Sequence, residues 1–175
     1  MKCFIIVALV LVGTSTSESS TSSMSSLLFE GSWLEMKEHR TNVVEYLTVY
    51  GISSENATKY SNGPTTMECI QLTEDGYKVN GIRPDSVPYN MSITWRKEEK
   101  RVYTYPNESL FFDAEVVRDN ISHSHNVMLF NVYYDKMETP IFIAERKFTN
   151  EGYMNYSHTN VGTNITTYTL YKKQD

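Results

Sequence analysis

The chain has 175 residues, with 16 Lys and Arg against 21 Asp and Glu and a net charge of −5 at neutral pH. Its basic residues are scattered, and the one small cluster, Arg96, Lys97, Lys100 and Arg101, is interrupted by Glu98 and Glu99. That distribution argues against nucleic acid or an anionic membrane as the main partner and reads as a solvated hairpin.

Residues 1–17 have the pattern of a signal peptide. Lys2 supplies a positive start, Phe4 to Val12 an apolar run, and Ser15 and Ser17 the small residues a signal peptidase prefers. The run is far short of the roughly 20 residues that span a bilayer. Glu18 is the expected first mature residue, with cuts after Ser15 or Gly13 as alternatives. About 155 residues remain, the size of one domain. Cys3 leaves with the signal, so Cys69 stands without an intramolecular partner. It reads as a small buried apolar residue beside Ile70, or else as a reactive or intermolecular thiol. An exported domain without disulfides needs a self-sufficient core or a closed barrel. Residues 18–26 continue a Ser/Thr tract that begins at Thr14, too poor in apolar side chains to offset its ordering entropy; they read as a disordered tether. Residues 27–175 are the folded domain.

In that domain Phe29, Gly31 and Trp33 alternate as a strand with one buried face. From Asn42 the period changes: Val43, Tyr46, Leu47 and Tyr50 recur at helical steps and end on Gly51. Ser53 to Tyr60 suits a second short helix, with Ser53 or Ser54 as its cap, and Ser61, Asn62, Gly63 and Pro64 break it. From Thr66 onward the rhythm is strand and turn. Strands are expected at Met67–Thr73, Tyr77–Ile82, Val87–Trp95, Arg101–Tyr105, Leu110–Val117, Val127–Tyr134, Ile141–Phe148, Tyr153–His158 and Ile165–Lys172. With Ser32–Lys37 these make about ten strands at hairpin spacing, which means a barrel or a sandwich.

Two segments carry a resemblance. F-E-G-S-W at Phe29–Trp33 followed by N-V-V-E-Y-L-T-V-Y-G-I at Asn42–Ile52, with a short insertion between them, resembles the opening of the intracellular fatty-acid-binding protein family. Near the other end, D-K-M-E-T-P-I-F-I-A-E-R-K-F-T-N-E-G-Y-M and the last strand, Thr169-Leu170-Tyr171-Lys172-Lys173, stand where that family has W-D-G-K-x-T-T-x-x-R-x-x-x-D-G-x-L and R-x-Y-E-K. The resemblance implies a barrel with a helix-turn-helix lid after its first strand. It also implies that Arg146 (or Lys147, one residue on) and Tyr171 hold a ligand head group, with Thr169 replacing the family's second arginine. One arginine with two hydroxyls would bind an acid more weakly, so an alcohol, aldehyde or sterol becomes more plausible. Tyr156 and His158 share one phase of their strand and line the same cavity in this reading. The plainer alternative makes Arg146 an exposed strand residue paired with Glu145 or Glu151, and Tyr171 ordinary packing.

Six N-x-S/T sequons, at Asn56, Asn90, Asn107, Asn120, Asn155 and Asn164, mark side chains expected at the surface. Asn90 and Asn155 fall on the polar phase of their strands and Asn56 on the second helix. Asn107, Asn120 and Asn164 are assigned to turns. His123 and His125 stand at a chelating two-residue step in a polar turn, but no third ligand completes a site. Neither a nucleophile elbow nor a glycine-rich phosphate loop is present.

The expectation is an all-β domain: a ten-stranded antiparallel up-and-down β-barrel, lipocalin-like or fatty-acid-binding-like, with a short helical lid. It would act as a secreted, glycosylated, monomeric carrier of a small hydrophobic ligand such as a fatty acid or retinoid. No enzymatic activity, cofactor, metal, nucleic acid or stable membrane insertion is expected; a protein receptor is the further partner this reading allows. A true lipocalin is the nearest rival, and a glycosylated, immune-facing surface module without lipid is a rival of another class.

Overall fold

A computed structural model describes residues 28–94, 99–102, 116–124, 126–134, 137–149 and 151–175. Their strands are β1 (Gly31–Thr41), β2 (Met67–Leu72), β3 (Gly76–Ile82), β4 (Pro88–Thr94), β5 (Glu99–Val102), β6 (Val116–Ser124), β7 (Val127–Tyr134), β8 (Phe142–Phe148), β9 (Tyr153–Asn160) and β10 (Ile165–Gln174). Helices α1 (Val43–Val49) and α2 (Ser54–Ser61) lie between β1 and β2. All the strands belong to one antiparallel sheet in the order β4-β3-β2-β1-β10-β9-β8-β7-β6-β5. Each strand therefore lies beside its chain neighbour wherever a ladder is formed, and the first strand pairs with the last through Ser32–Gln174 to Met36–Leu170. Among the described residues no ladder joins β4 to β5.

Alternation builds the inner face. Trp33, Ile70, Tyr77, Val79, Met128, Phe130, Val132, Phe142, Ala144 and Met154 form one buried cluster across the strands. Each large side chain buried there contributes about 1.5–3 kcal/mol. Edge-on contacts cross from one part of the sheet to another: Trp33 of β1 meets Phe148 of β8 with ring centroids 5.8 Å apart, and Tyr77 of β3 meets Phe130 of β7 at 6.1 Å. These strands are not ladder neighbours, so right-handed twist has curled the sheet until its concave face meets itself. Cys69 lies between the inward-facing Glu68 and Ile70 and is half-buried rather than part of the core.

The two helices form where their period and caps place them. Tyr46, Leu47 and Tyr50 bury with Ala57 of α2 in a second cluster that also takes in Ile165 at the start of β10. Gly51 ends the first helix at φ 78°, a conformation that costs a side-chain-bearing residue but not glycine. Ser53 caps α2, its Oγ accepting from the Asn56 N–H at 3.2 Å. Between Met36 and Thr41, β1 carries a bulge: it advances five residues while β10 advances only from Leu170 to Tyr168. The insertion seen in the sequence is thus absorbed as a bulge at the base of the helices.

One stretch departs from expectation. The strand expected at Leu110–Val117 lies mostly outside the described residues, and β6 runs from Val116 to Ser124. Asn120 is therefore not in a turn but mid-strand, paired with Asn131, and His123 sits in the same strand opposite Met128. Asp-Asn has strong turn propensity, but cross-strand pairing with the apolar β7 overrides it here. Asn107 and His125 lie outside the described residues.

Candidate functional site

Register places the expected site residues side by side. Arg146 of β8 pairs with Tyr156 of β9, and Tyr156 with Thr169 of β10, giving one row across the concave face. The row beside it runs Ala144, His158, Thr167, and the one on the other side Phe148, Met154, Tyr171, Glu35. Arg146 is 1% exposed, whereas Lys147 points the other way and is exposed. Thr169 is half-buried.

Arg146 does not pair with Glu145 or Glu151. Its Nη2 donates to Glu68 of β2, 3.0 Å to Oε2 and 3.2 Å to Oε1. In the sheet β8 and β2 are separated by β9, β10 and β1, so this ion pair crosses the interior. The guanidinium lies 4.0 Å from the Tyr156 ring centroid and 5.4 Å from that of Phe130. Burial alone would lower the pKa of Arg146. The Glu68 charge and the surrounding tyrosines outweigh that and hold it well above its ordinary value, so the side chain stays a cation. Its Nε and Nη1 are buried and make no well-formed hydrogen bond, with the Tyr156 hydroxyl the nearby weak acceptor of the guanidinium.

Glu68 takes a second donor: the Tyr89 hydroxyl at 2.5 Å from Oε1. That reach depends on Gly81, which faces inward between Glu68 and Tyr89 in the register. A Cβ there would stand 2.6 Å from the Tyr89 ring, so only glycine lets the ring lie across β3. Burial, and then the Glu68 charge, push the Tyr89 hydroxyl well above the usual tyrosine range.

Tyr171 is buried, with its hydroxyl 3.2 Å from Thr66 Oγ1. Thr66 has one hydroxyl proton and gives it to Glu35 Oε2 at 2.7 Å, so Tyr171 is the donor in this contact. Glu35 also accepts from the Thr66 N–H and from Arg40 of the bulge. Burial acts to raise the Glu35 carboxyl, but these hydrogen bonds and the Arg40 charge hold it below its ordinary value. Tyr171 thus belongs to a hydrogen-bonded chain leading to the bulge, while its ring stands 6.5 Å from that of Tyr156.

His158 stacks on Phe142 at 5.8 Å and meets Tyr156 edge-on at 4.6 Å. Tyr46 of α1 lies over it with centroids 6.1 Å apart, so α1 covers His158. Desolvation and then the Arg146 charge bring the His158 pKa down to about 3, and the imidazole is neutral at physiological pH. Yet His158 and Tyr156 both keep accessible surface.

Sequence reasoning missed Glu68, Tyr89 and the Glu35–Arg40 pair. The signal for the acids was present: Glu68 shares the phase of Ile70 and Leu72, and Glu35 that of Trp33. A carboxylate on the apolar phase of a strand predicts a buried partner. Among the sequons, Asn56, Asn90 and Asn164 are exposed and Asn155 is half-buried on the face away from Met154 and Tyr156; Asn164 occupies its turn at φ 58°. Among the described residues no helix is long and apolar enough to cross a membrane.

No protein-family model matches the sequence, and no curated protein matches it by sequence. Solved structures do match by shape. A protein described as the REP1-NXSQ fatty acid transporter superposes with a TM-score of 0.63 at 16% identity, over 83% of this chain and 96% of the other. The lipid binding protein 8 of Caenorhabditis elegans gives 0.66 at 14% identity, over 85% and 96%. The fluorescent protein UnaG gives 0.65 at 15% identity, over 83% and 97%. At these identities the likeness concerns architecture. The curled antiparallel sheet, first strand paired with last and two helices between the first two strands, is the fold of the fatty-acid-binding proteins.

Proposed function

We propose that this chain is a secreted, non-enzymatic carrier that closes into a ten-stranded barrel and holds one small hydrophobic ligand inside it. The observation that carries the reading is the state of Arg146: buried on the concave face with no well-formed hydrogen bond at Nε and Nη1, beside the partly accessible Tyr156 and His158. Unpaired buried donors are rare in folded proteins, and an interior that receives the polar end of a ligand accounts for them. Around them Phe130, Phe142, Tyr156 and Met128 offer rings and apolar surface, against which a hydrocarbon tail gains ~25 cal/mol per Å² removed from water. The fatty acid transporter and the lipid binding protein among the structural neighbours support the same use of the fold. Helix α1, whose Tyr46 lies over His158, is the natural gate together with α2 packed against it.

Export in this reading rests on the leader-like residues 1–17 and on sequons at the exposed Asn56, Asn90 and Asn164. The carrier works as a monomer and delivers to a protein receptor. The test is an organic extract of the natively purified secreted protein, read by mass spectrometry. About one lipid per chain is expected, as for a single enclosed site. Finding no lipid, together with no uptake of a fluorescent lipid probe, would favour a glycosylated surface module instead. The Tyr77–Phe130 contact, which fills part of the interior, is the observation on that side.

A further inference from the structure

We propose, resting on the carrier reading above, that the ligand head is an uncharged oxygen acceptor, such as an ester, aldehyde or ketone carbonyl, and that Glu68 is the residue that turns carboxylic acids away. The interior cation is already neutralised. Arg146 Nη2 spans both oxygens of Glu68, at 3.2 and 3.0 Å, and the pair as a whole carries no net charge. Both residues are fully enclosed, at 1% and 2% exposure, so nothing in bulk water screens them.

Arg146 still has three N–H bonds to give, one on Nε and two on Nη1, and all are buried without a well-formed hydrogen bond. The Tyr156 and Phe130 rings lie within 4.0 and 5.4 Å of the guanidinium carbon. With aromatic rings near the guanidinium, an incoming oxygen meets it at the open N–H bonds. A carbonyl oxygen placed there satisfies donors and adds no charge.

A carboxylate placed there meets a different balance. It sheds its hydration on entering and comes to lie on the cation that Glu68 already occupies, so two negative charges share one positive charge at close range. Glu68 cannot swing out to relieve the repulsion. Tyr89 holds its Oε1 at 2.5 Å, and that ring is seated against Gly81. Thr169, paired with Tyr156 on the same row, adds no positive charge. His158, neutral on the neighbouring row, adds none either.

The experiment uses the delipidated full-length secreted protein and three probes of one chain length: a fatty acid, its methyl ester and the parent alkane. At neutral pH the wild type should bind the ester about tenfold or more tighter than the acid, a ratio that reflects the like-charge penalty. Glu68→Gln should largely erase the preference, tightening the acid about tenfold while moving the ester by less than about threefold. A second arm needs no variant. As pH falls from about 8 to about 5 the acid becomes protonated, and its wild-type affinity should rise toward that of the ester. Equal affinity for acid and ester in the wild type, unchanged by pH, would overturn the proposal and leave the carrier intact. Should Glu68→Gln fail to fold, the pH arm decides alone. If no probe binds, the alkane included, the carrier reading itself fails and takes this inference with it.

Discussion

Among the described residues two buried acid–base pairs, Glu35–Arg40 and Glu68–Arg146, are built to opposite rules. Arg40 gives all it has: Nε and Nη2 to the two oxygens of Glu35, and further bonds to the backbone oxygens of Ser61, Gly63 and Pro64. Glu35 in turn takes the Thr66 N–H at 2.8 Å and the Thr66 hydroxyl at 2.7 Å. Nothing is left over, and the pair fastens the end of α2 to the bulge of β1. Arg146 spends one nitrogen on Glu68 and leaves two unpaired. A saturated pair is a clasp, and an unsaturated one of equal burial is a receiving site. Burial and charge alone do not separate these roles; the count of unsatisfied donors does.

The largest expected effect tests the clasp. Arg40→Met leaves Glu35 buried without its cation and should cost about 3–5 kcal/mol, seen as a lower urea midpoint. Restoring neutrality with Glu35→Met as well should not recover it, because three backbone oxygens have lost their donor. At the other pair, the double change Glu68→Met with Arg146→Met should cost no more than about 1.5–3 kcal/mol, the share of the lost Tyr89 bond, since its charges make no other well-formed hydrogen bond among the described residues. Equal losses from both double variants would erase the distinction drawn here.

A smaller effect is expected where Glu68 is held. Tyr89→Phe removes a hydrogen bond to a charged group and should cost about 1.5–3 kcal/mol. Gly81→Ala forces the same ring aside and should cost about 1–3 kcal/mol through overpacking. Combined, the two should lose less than their sum, because they act on one contact. Full additivity would show that Gly81 serves some other purpose.

Acid should weaken the interior through His158. Its folded pKa of about 3 lies below the ordinary 6.5, so below about pH 6.5 the unfolded chain binds a proton that the native state refuses. Stability is therefore fully present above that pH and is lost as pH falls toward 3, by about 1–2 kcal/mol at about pH 5. Thermal midpoints across this range should flatten in His158→Phe. Glu35 adds loss in the same direction only below its ordinary carboxylate value, since its folded pKa is depressed. A midpoint that rises on acidification would contradict both.

The smallest effect concerns delivery. Glu38, Glu45 and Glu55 near and on the helices oppose Lys37 and Lys59, while Arg40 is consumed by the clasp. The exposed Asn56 adds a sequon on the same element. Transfer of a fluorescent lipid to vesicles should then be nearly independent of acceptor concentration and of anionic lipid content. A rate proportional to acceptor concentration, with the Asn56 glycan in place, would point to collision instead.

What the chain determined by itself is what local physics can encode. The helical steps of Val43, Tyr46, Leu47 and Tyr50, the stop at Gly51 and the cap at Ser53 are short-range signals, and the helices stand where those signals put them. The alternation that sends Arg146 inward and Lys147 outward is likewise a two-residue period, although only register chose between the two. The turn assigned to Asp119-Asn120 shows the limit: a local preference lost to pairing with β7. Glu68 lies 78 residues from Arg146, and no periodicity spans that distance. Its phase beside Ile70 said only that it would be buried. Which cation it meets, and which donors of that cation remain open, follow from the curling of the sheet, because an interior contact between β2 and β8 exists only once twist has brought the concave face round upon itself.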